Sequence, residues 1–264
     1  MHGKEQVIEP VLAGFGLRFL ALPGIDTDRF GTFTRDIERA GSQREALLAK
    51  ARAGLHHSPE ADFAVASEGA FGPHPHIPFV ASGFEMVVLL DRKSGKAVIG
   101  RHITTATNFM QVEAGSWDEV QTFVKTIGFP SHAVVVMEGQ DGPVLAKGVT
   151  SEGELRRICH AQFEVGGPVW LEADMRAHLN PTRMQAVAAA TTDLARRLKA
   201  RCPACAYPDW TAKVRDGRPC AWCDGPTAEA WVEEYHCEGC GHRAEQSIEP
   251  ERKGEPAHCN YCNP

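Results

Sequence analysis

Four Cys-x-x-Cys pairs crowd the end of this chain: Cys202/Cys205, Cys220/Cys223, Cys237/Cys240 and Cys259/Cys262. Two cysteines at that spacing can grip one tetrahedral zinc ion, and two such pairs complete a closed site. Eight ligands therefore imply two zinc ions. Gly or Asn beside the second cysteine, as in Cys-Glu-Gly-Cys-Gly and Cys-Asn-Tyr-Cys-Asn, suits the left-handed backbone of a knuckle turn. Regular pairs of this kind read as metal sites rather than disulfides or redox dithiols. A site closed by four cysteines leaves no position for water, so the zinc is structural and not catalytic.

The tail has little else to fold around. Its larger apolar residues, Trp210, Val214, Trp222, Trp231, Val232 and Ile248, are scattered. Zinc would replace the missing core, and the metal-free tail should be unfolded. Pairing in sequence order (Cys202 and Cys205 with Cys220 and Cys223, then Cys237 and Cys240 with Cys259 and Cys262) gives two consecutive ribbons. Nested pairing joins the two middle pairs and makes Ala230 to Ile248 a strand–knuckle–strand hairpin. Sequential pairing is preferred. The domain reading is an α/β domain over 1–200 and a double zinc ribbon over 201–264.

The balance of charge narrows the partners. Net charge is −6, against the basic surface that phosphate backbones select, so nucleic acid is argued against. No apolar run approaches membrane-spanning length, and the opening Met-His-Gly-Lys-Glu has no signal-peptide core, so a reducing cytoplasm is expected. Oligomeric state is left open.

Three helices start on Ser-x-x-Glu capping boxes: Ser42 to Glu45, Ser116 to Glu119 and Ser151 to Glu154. Asn180 followed by Pro181 opens a fourth, to about Lys199, and Glu5 to Ala13 reads as a fifth. Short Val-, Ile- and Phe-rich runs read as strands: 17–21, 63–67, 85–91, 97–102, 133–138, 144–147 and 169–172. Turns at Asp91–Lys96 and Gln140–Pro143 imply hairpins. The expected fold is α/β with a mixed sheet.

Four polar clusters sit at strand ends or helix starts. His2-Gly3-Lys4-Glu5 places a lysine at a helix N-terminus that suits phosphate, or is simply the frayed chain end. Asp26, Asp28 and Glu38 lie around a glycine, where carboxylates could hold Mg²⁺ or form a solvated loop. Glu68 ends a strand before a Gly/Pro-rich loop carrying His74 and His76, suited to a metal, a phosphate or a structural hydrogen bond. Asp174, Arg176, His178 and Arg183 lead into the fourth helix as an anion site, or as a structural ion pair with Asn180 as its cap. Cys159, alone on a helix, reads as a small buried hydrophobe.

The phrases Met-His-Gly-Lys, Asp-Thr-Asp-x-Phe-Gly-Thr-Phe, Ser-Glu-Gly-Ala-Phe-Gly-Pro-His-Pro, Asp-Met-Arg-Ala-His-x-Asn-Pro-Thr-Arg-Met and the closing Cys-x-x-Cys-Asn-Pro resemble an uncharacterised bacterial family, a domain of unknown function. That resemblance spans the chain and supplies no activity. Residues 1 to about 110 are more distantly similar to the inosine/xanthosine triphosphatases, through Gly3-Lys4, the helix from Ser42 and the phrase from Ser58 to Gly69. This second resemblance implies Mg²⁺-assisted attack of water on a nucleoside triphosphate. Lys4 would contact phosphate, and Glu68 with an acid from Asp26 to Glu38 would hold Mg²⁺.

Two expectations follow. The first is a hydrolase of a nucleotide or related phosphate compound, with Lys4, Asp26, Glu68, His74, Asp174 and Arg176 converging on one cleft. The second is a non-enzymatic adaptor whose zinc ribbons dock a protein partner.

Overall fold

In the computed structural model, which describes residues 3–20 and 41–264, the helix starts follow the local chemistry. Helix α1 covers Glu5–Leu12, α2 Gln43–His57 and α3 Trp117–Ile127. Ser42 and Ser116 each accept the backbone N–H of the glutamate three residues on. Each glutamate's carboxylate accepts the serine N–H in return, so α2 and α3 begin on complete capping boxes. In α4 (Glu152–Glu164), Ser151 accepts from Glu154 N–H. Asn180 Oδ1 accepts Arg183 N–H at 2.9 Å at the head of α5 (Pro181–Lys199). Each bond satisfies a helix-end donor that would otherwise need water.

The chain forms two compact units, 1–195 and 196–264, with the boundary inside α5. The first unit has two sheets. One is a meander of β1 (Phe63–His74), β2 (Ile77–Asp91) and β3 (Ala97–Thr104), in that order. The other holds β4 (Gln111–Ala114), β5 (Val134–Met137), β6 (Val144–Val149) and β7 (Val169–Ala173), in the order β4-β7-β5-β6. Strand alternation sends successive side chains to opposite faces. On one face of the meander Met86, Val88, Leu90 and Ile99 bury against Leu47, Ala51 and Leu55 of α2. On the second sheet Val134, Val136, Val169 and Leu171 share a core with Val120, Phe123 and Ile127 of α3 and with Leu155 and Cys159 of α4.

The other face of the meander meets α5 at a glycine. A methyl group at Gly100 would overlap the Ala190 carbonyl oxygen and the Leu194 amide, both helix backbone that cannot swing aside. Gly100→Ala should therefore destabilise the first unit by about 3 kcal/mol, at the upper end of overpacking costs, read as a lowered urea midpoint.

The second unit carries a three-stranded sheet of β8 (Lys213–Asp216), β9 (Ala230–His236) and β10 (Arg243–Ser247), in the order β10-β9-β8.

Three expectations change. Every pair of named strands is antiparallel, in three separate sheets, where one mixed sheet was expected. Short turns such as Asp91–Lys96 can join only antiparallel neighbours, because a parallel pair needs a long crossover. Residues 17–20 form no strand. The segment after Glu68 is not a loop: β1 runs on to His74, opposite Ile77, because β2 supplies a partner for its backbone despite the Gly and Pro content.

Candidate functional site

The β1–β2 register decides which polar groups of the first unit meet. Glu68 lies opposite Met86, whose face packs under α2. There Lys50 binds the Glu68 carboxylate at 2.5 Å, with the two side chains 13% and 2% exposed. Gln43, also on α2, donates to the backbone carbonyls of Glu68 and Phe84 at 2.9 and 2.8 Å.

Ser67, Gly69 and Glu85 lie on the opposite face, Gly69 directly across from Glu85. Arg183, in the first turn of α5, donates from Nε to Glu85 Oε1 at 2.6 Å and from Nη1 to the Met175 carbonyl. Its guanidinium carbon stands 5.4 Å from the Phe71 ring centroid. A side chain at position 69 would overlap both Glu85 and Arg183, so the glycine makes room for the pair. Lys4, at the head of α1, donates to Ser67 Oγ at 2.8 Å.

Two features of this cluster are electrostatically costly. Glu85 is fully buried, and its second oxygen, Oε2, has no hydrogen-bond partner. The Lys4 ammonium is enclosed, although the residue as a whole keeps some exposure. Burial chiefly, then the nearby Arg183 charge and Lys50, lower its pKa from 10.5 to about 7 against the opposing pull of Glu85 and Glu68. Loss of hydration and a like charge both disfavour the ammonium form.

The fourth sequence cluster divides. Arg176 grips the buried Asp174 through Nε at 3.0 Å and Nη2 at 2.6 Å, and its backbone N–H adds a bond to Oδ1 at 3.0 Å. Asn180 Nδ2 donates to the Asp174 carbonyl at 3.1 Å and to Asn108 Oδ1 at 2.9 Å. This is the ion-pair-and-cap alternative for Asp174, Arg176 and Asn180, while Arg183 alone reaches Glu85. His178 is exposed on a short 3₁₀ turn over Ala177–Leu179.

His74 and His76 are not beside Glu68. They occupy the far end of the β1–β2 hairpin, where His74 Nδ1 accepts the His76 N–H at 3.2 Å. His74 lies six positions along the strand from Glu68, about 20 Å at the usual rise. Asp26, Asp28 and Glu38 lie outside the described residues. Cys159 is buried, and burial pushes its thiol up to about 11, as a small core residue.

Sequence reasoning missed Lys50, Ser67 and Glu85. The available signal for Glu85 was a carboxylate opening an otherwise apolar run, Met86 to Leu90. Lys50 had none, since a lysine on an amphipathic helix ordinarily faces water.

Among the described residues, two groups of three or more His, Cys, Asp or Glu side chains are close enough to share one ion. They are Cys202, Cys205, Cys237 and Cys240, and Cys220, Cys223, Cys259 and Cys262. Glu68, expected to help hold Mg²⁺, belongs to neither. The pairing is interleaved, first pair with third and second with fourth, which corrects the sequential expectation and differs from the nested one. The cause lies in the sheet. The third pair sits at the turn of the β9–β10 hairpin, so β9 leads away from the second pair instead of closing on it.

The thiol geometry suits a tetrahedral ion. Sulfurs are 3.9 Å apart for Cys202 and Cys240 and 3.6 Å for Cys205 and Cys237. The other quartet repeats this, at 3.9 Å for Cys220 and Cys262 and 3.6 Å for Cys223 and Cys259. Zinc–sulfur bonds of about 2.3 Å at the tetrahedral angle set neighbouring sulfurs about 3.8 Å apart. A disulfide would bring them to about 2 Å, and all nine cysteines are free.

Three knuckles share one backbone. Ala206, Asp224 and Gly241, each following a second cysteine, have φ of 58°, 57° and 75°. Ala204, Trp222 and Gly239 each donate N–H to the first cysteine's sulfur at 3.3–3.4 Å. Those donors would offset the negative charge of a thiolate quartet.

The family described as a domain of unknown function, DUF6671, matches residues 51–264. No match to the chain was found among curated proteins or among solved structures.

Proposed function

The chain belongs to the DUF6671 family, and we propose that it binds and hydrolyses a small phosphorylated compound, a nucleotide or a relative of one, at the polar site of its first unit. In the second unit the two thiolate quartets hold structural zinc.

The observation that supports this is the enclosure of the Lys4 ammonium near the Arg183 guanidinium. Two cations placed together away from water repel each other and lose hydration. An anion between them would remove the repulsion, replace the lost hydration with charge-assisted hydrogen bonds and return Lys4 to its charged form. Lys50 adds a third positive charge close enough for Lys4 to feel. Lys4 and Arg183 supply the charge neutralisation that the sequence suggested for Mg²⁺, and they would stabilise the charge that builds on phosphoryl oxygens as water attacks phosphorus.

The test is a screen of nucleoside triphosphates and simpler phosphate esters, with and without Mg²⁺. Lys4→Ala should lower kcat/KM by about a hundredfold, the scale of losing one donor to developing charge. Glu68→Gln, which weakens the anchor for Lys50, should lower it less. Equal turnover in wild type and both variants would remove these residues from the reaction.

A second reading, a protein-docking adaptor in a reducing compartment, draws on Trp222 and Tyr261. They sit inside the two knuckles of the second quartet and are 78% and 76% exposed. A partner bound there should be lost on Trp222→Ser with hydrolysis unchanged. For nucleic acid the charge is wrong: between Arg201 and Pro264 seven Lys and Arg face eleven Asp and Glu. Among the described residues no helix is long and apolar enough to cross a membrane.

A further inference from the structure

We infer that the ligand of the first unit is a phosphate ester carrying a hydroxyl group, and that this hydroxyl donates to Glu85 Oε2. The inference rests on the phosphate reading and names the class of compound within it.

Glu85 is 0% exposed, and Arg183 occupies only its Oε1. Oε2 is the one buried side-chain polar atom without a hydrogen-bond partner in the described part of the chain. An ionised carboxylate oxygen is an acceptor only, and leaving one buried and unbonded is among the more costly arrangements a fold can keep. Its surroundings carry charge suited to an anion: Lys4 and Arg183 stand near it, and Gly69 lies across from it on β1, where any side chain would overlap Glu85 and Arg183.

A phosphate group alone cannot serve Oε2, because its oxygens are negative and repelled. The group that reaches Oε2 must be a donor. An ammonium would meet the repulsion of Lys4 and Arg183, so the donor is neutral. A hydroxyl on the same molecule as the phosphate satisfies both halves of the site.

Calorimetric titration of the full, zinc-loaded chain with inorganic phosphate, n-propyl phosphate, glycerol 3-phosphate and ribose 5-phosphate tests this. A hydrogen bond to a buried charged acceptor predicts that at least one hydroxylated ester binds about tenfold or more tighter than n-propyl phosphate. In Glu85→Gln that preference should fall to within about threefold while n-propyl phosphate binding persists. If the esters bind equally to wild type, the inference fails and the phosphate reading stands. A preference undiminished in Glu85→Gln would place the hydroxyl elsewhere and also overturn it. If none of the four binds, the phosphate reading fails, and this inference with it.

Discussion

Stripping zinc from the full chain with a strong chelator should unfold the entire second unit in one step and leave the first unit folded. The second unit's buried apolar side chains, apart from four of its cysteines, are Leu198 and Val232. That is too little core for independent stability. Structural zinc contributes about 10–16 kcal/mol of apparent binding free energy in small metal-folded peptides at neutral pH, far more than these side chains can. The interleaved pairing makes the loss cooperative. The loop closed by Cys202/Cys205 and Cys237/Cys240 contains the Cys220/Cys223 pair, and the loop closed by the second quartet contains the Cys237/Cys240 pair. Opening either quartet therefore frees chain that positions ligands of the other. Cys220→Ser should release both metals, with amide protection lost across β9 and β10 together. Loss of one zinc while the other quartet and its strands stay protected would fit two independent ribbons and contradict the interleaving.

Arg218→Ala should be the most damaging change in the second unit outside the cysteines, costing about 3–5 kcal/mol. Arg218 is 1% exposed, and its guanidinium donates to four backbone carbonyls. They are Ala230 at 3.1 Å, Glu249 at 2.9 Å, Arg252 at 3.0 Å and Ile248 at 2.9 Å. Its carbon lies 5.4 Å from the Trp231 ring centroid. The guanidinium thus ties β9 to the 248–252 segment in a unit with few apolar contacts. Truncation would leave four carbonyls needing new partners, the costly side of hydrogen-bond bookkeeping. Lysine should not rescue it, since one ammonium cannot reproduce a planar fork aimed at several carbonyls. The measurement is the denaturation midpoint of the zinc-loaded chain. A change below about 1 kcal/mol, ordinary for surface sites, would show that the carbonyls find other donors.

What the sequence disclosed and what it hid divide by range. The capping serines Ser42 and Ser116, the Asn180 cap and the hairpin turn at Asp91–Lys96 act within a few residues, and each appears where its spacing points. Eight metal-ligand candidates were legible for the same reason. Their pairing was not, because every pair has the same Cys-x-x-Cys spacing and only the β8–β9–β10 sheet decides which knuckles meet. Hydrogen bonding hid the end of β1: its Gly and Pro residues lower strand propensity, yet pairing with β2 extends it to His74. The polar site was half legible. Lys4 and Arg183 stood at helix starts, where anion chemistry is expected. Glu85 and Lys50 lay inside a strand and a helix, and only the tertiary fold buries them. Arg218 looked like one more charge in a polar tail until the fold enclosed it.

An anion that meets Lys4 changes its proton occupancy, so proton uptake on binding is the most direct test of the site. The folded, ligand-free Lys4 has a pKa of about 7, so at pH 7 about half of it is neutral, and an anion that restores the ammonium must draw about half a proton from solution. The charged groups that act on it are Arg183, Glu85, Lys50 and Glu68. Calorimetric titration of phosphate into the zinc-loaded chain, in two buffers of different ionisation enthalpy, reads the uptake. The prediction is that wild type takes up about half a proton more than Lys4→Met at pH 7, the titration of phosphate itself being common to both, and that this difference falls toward zero at pH 5. Proton uptake equal in wild type and Lys4→Met at pH 7 would contradict it.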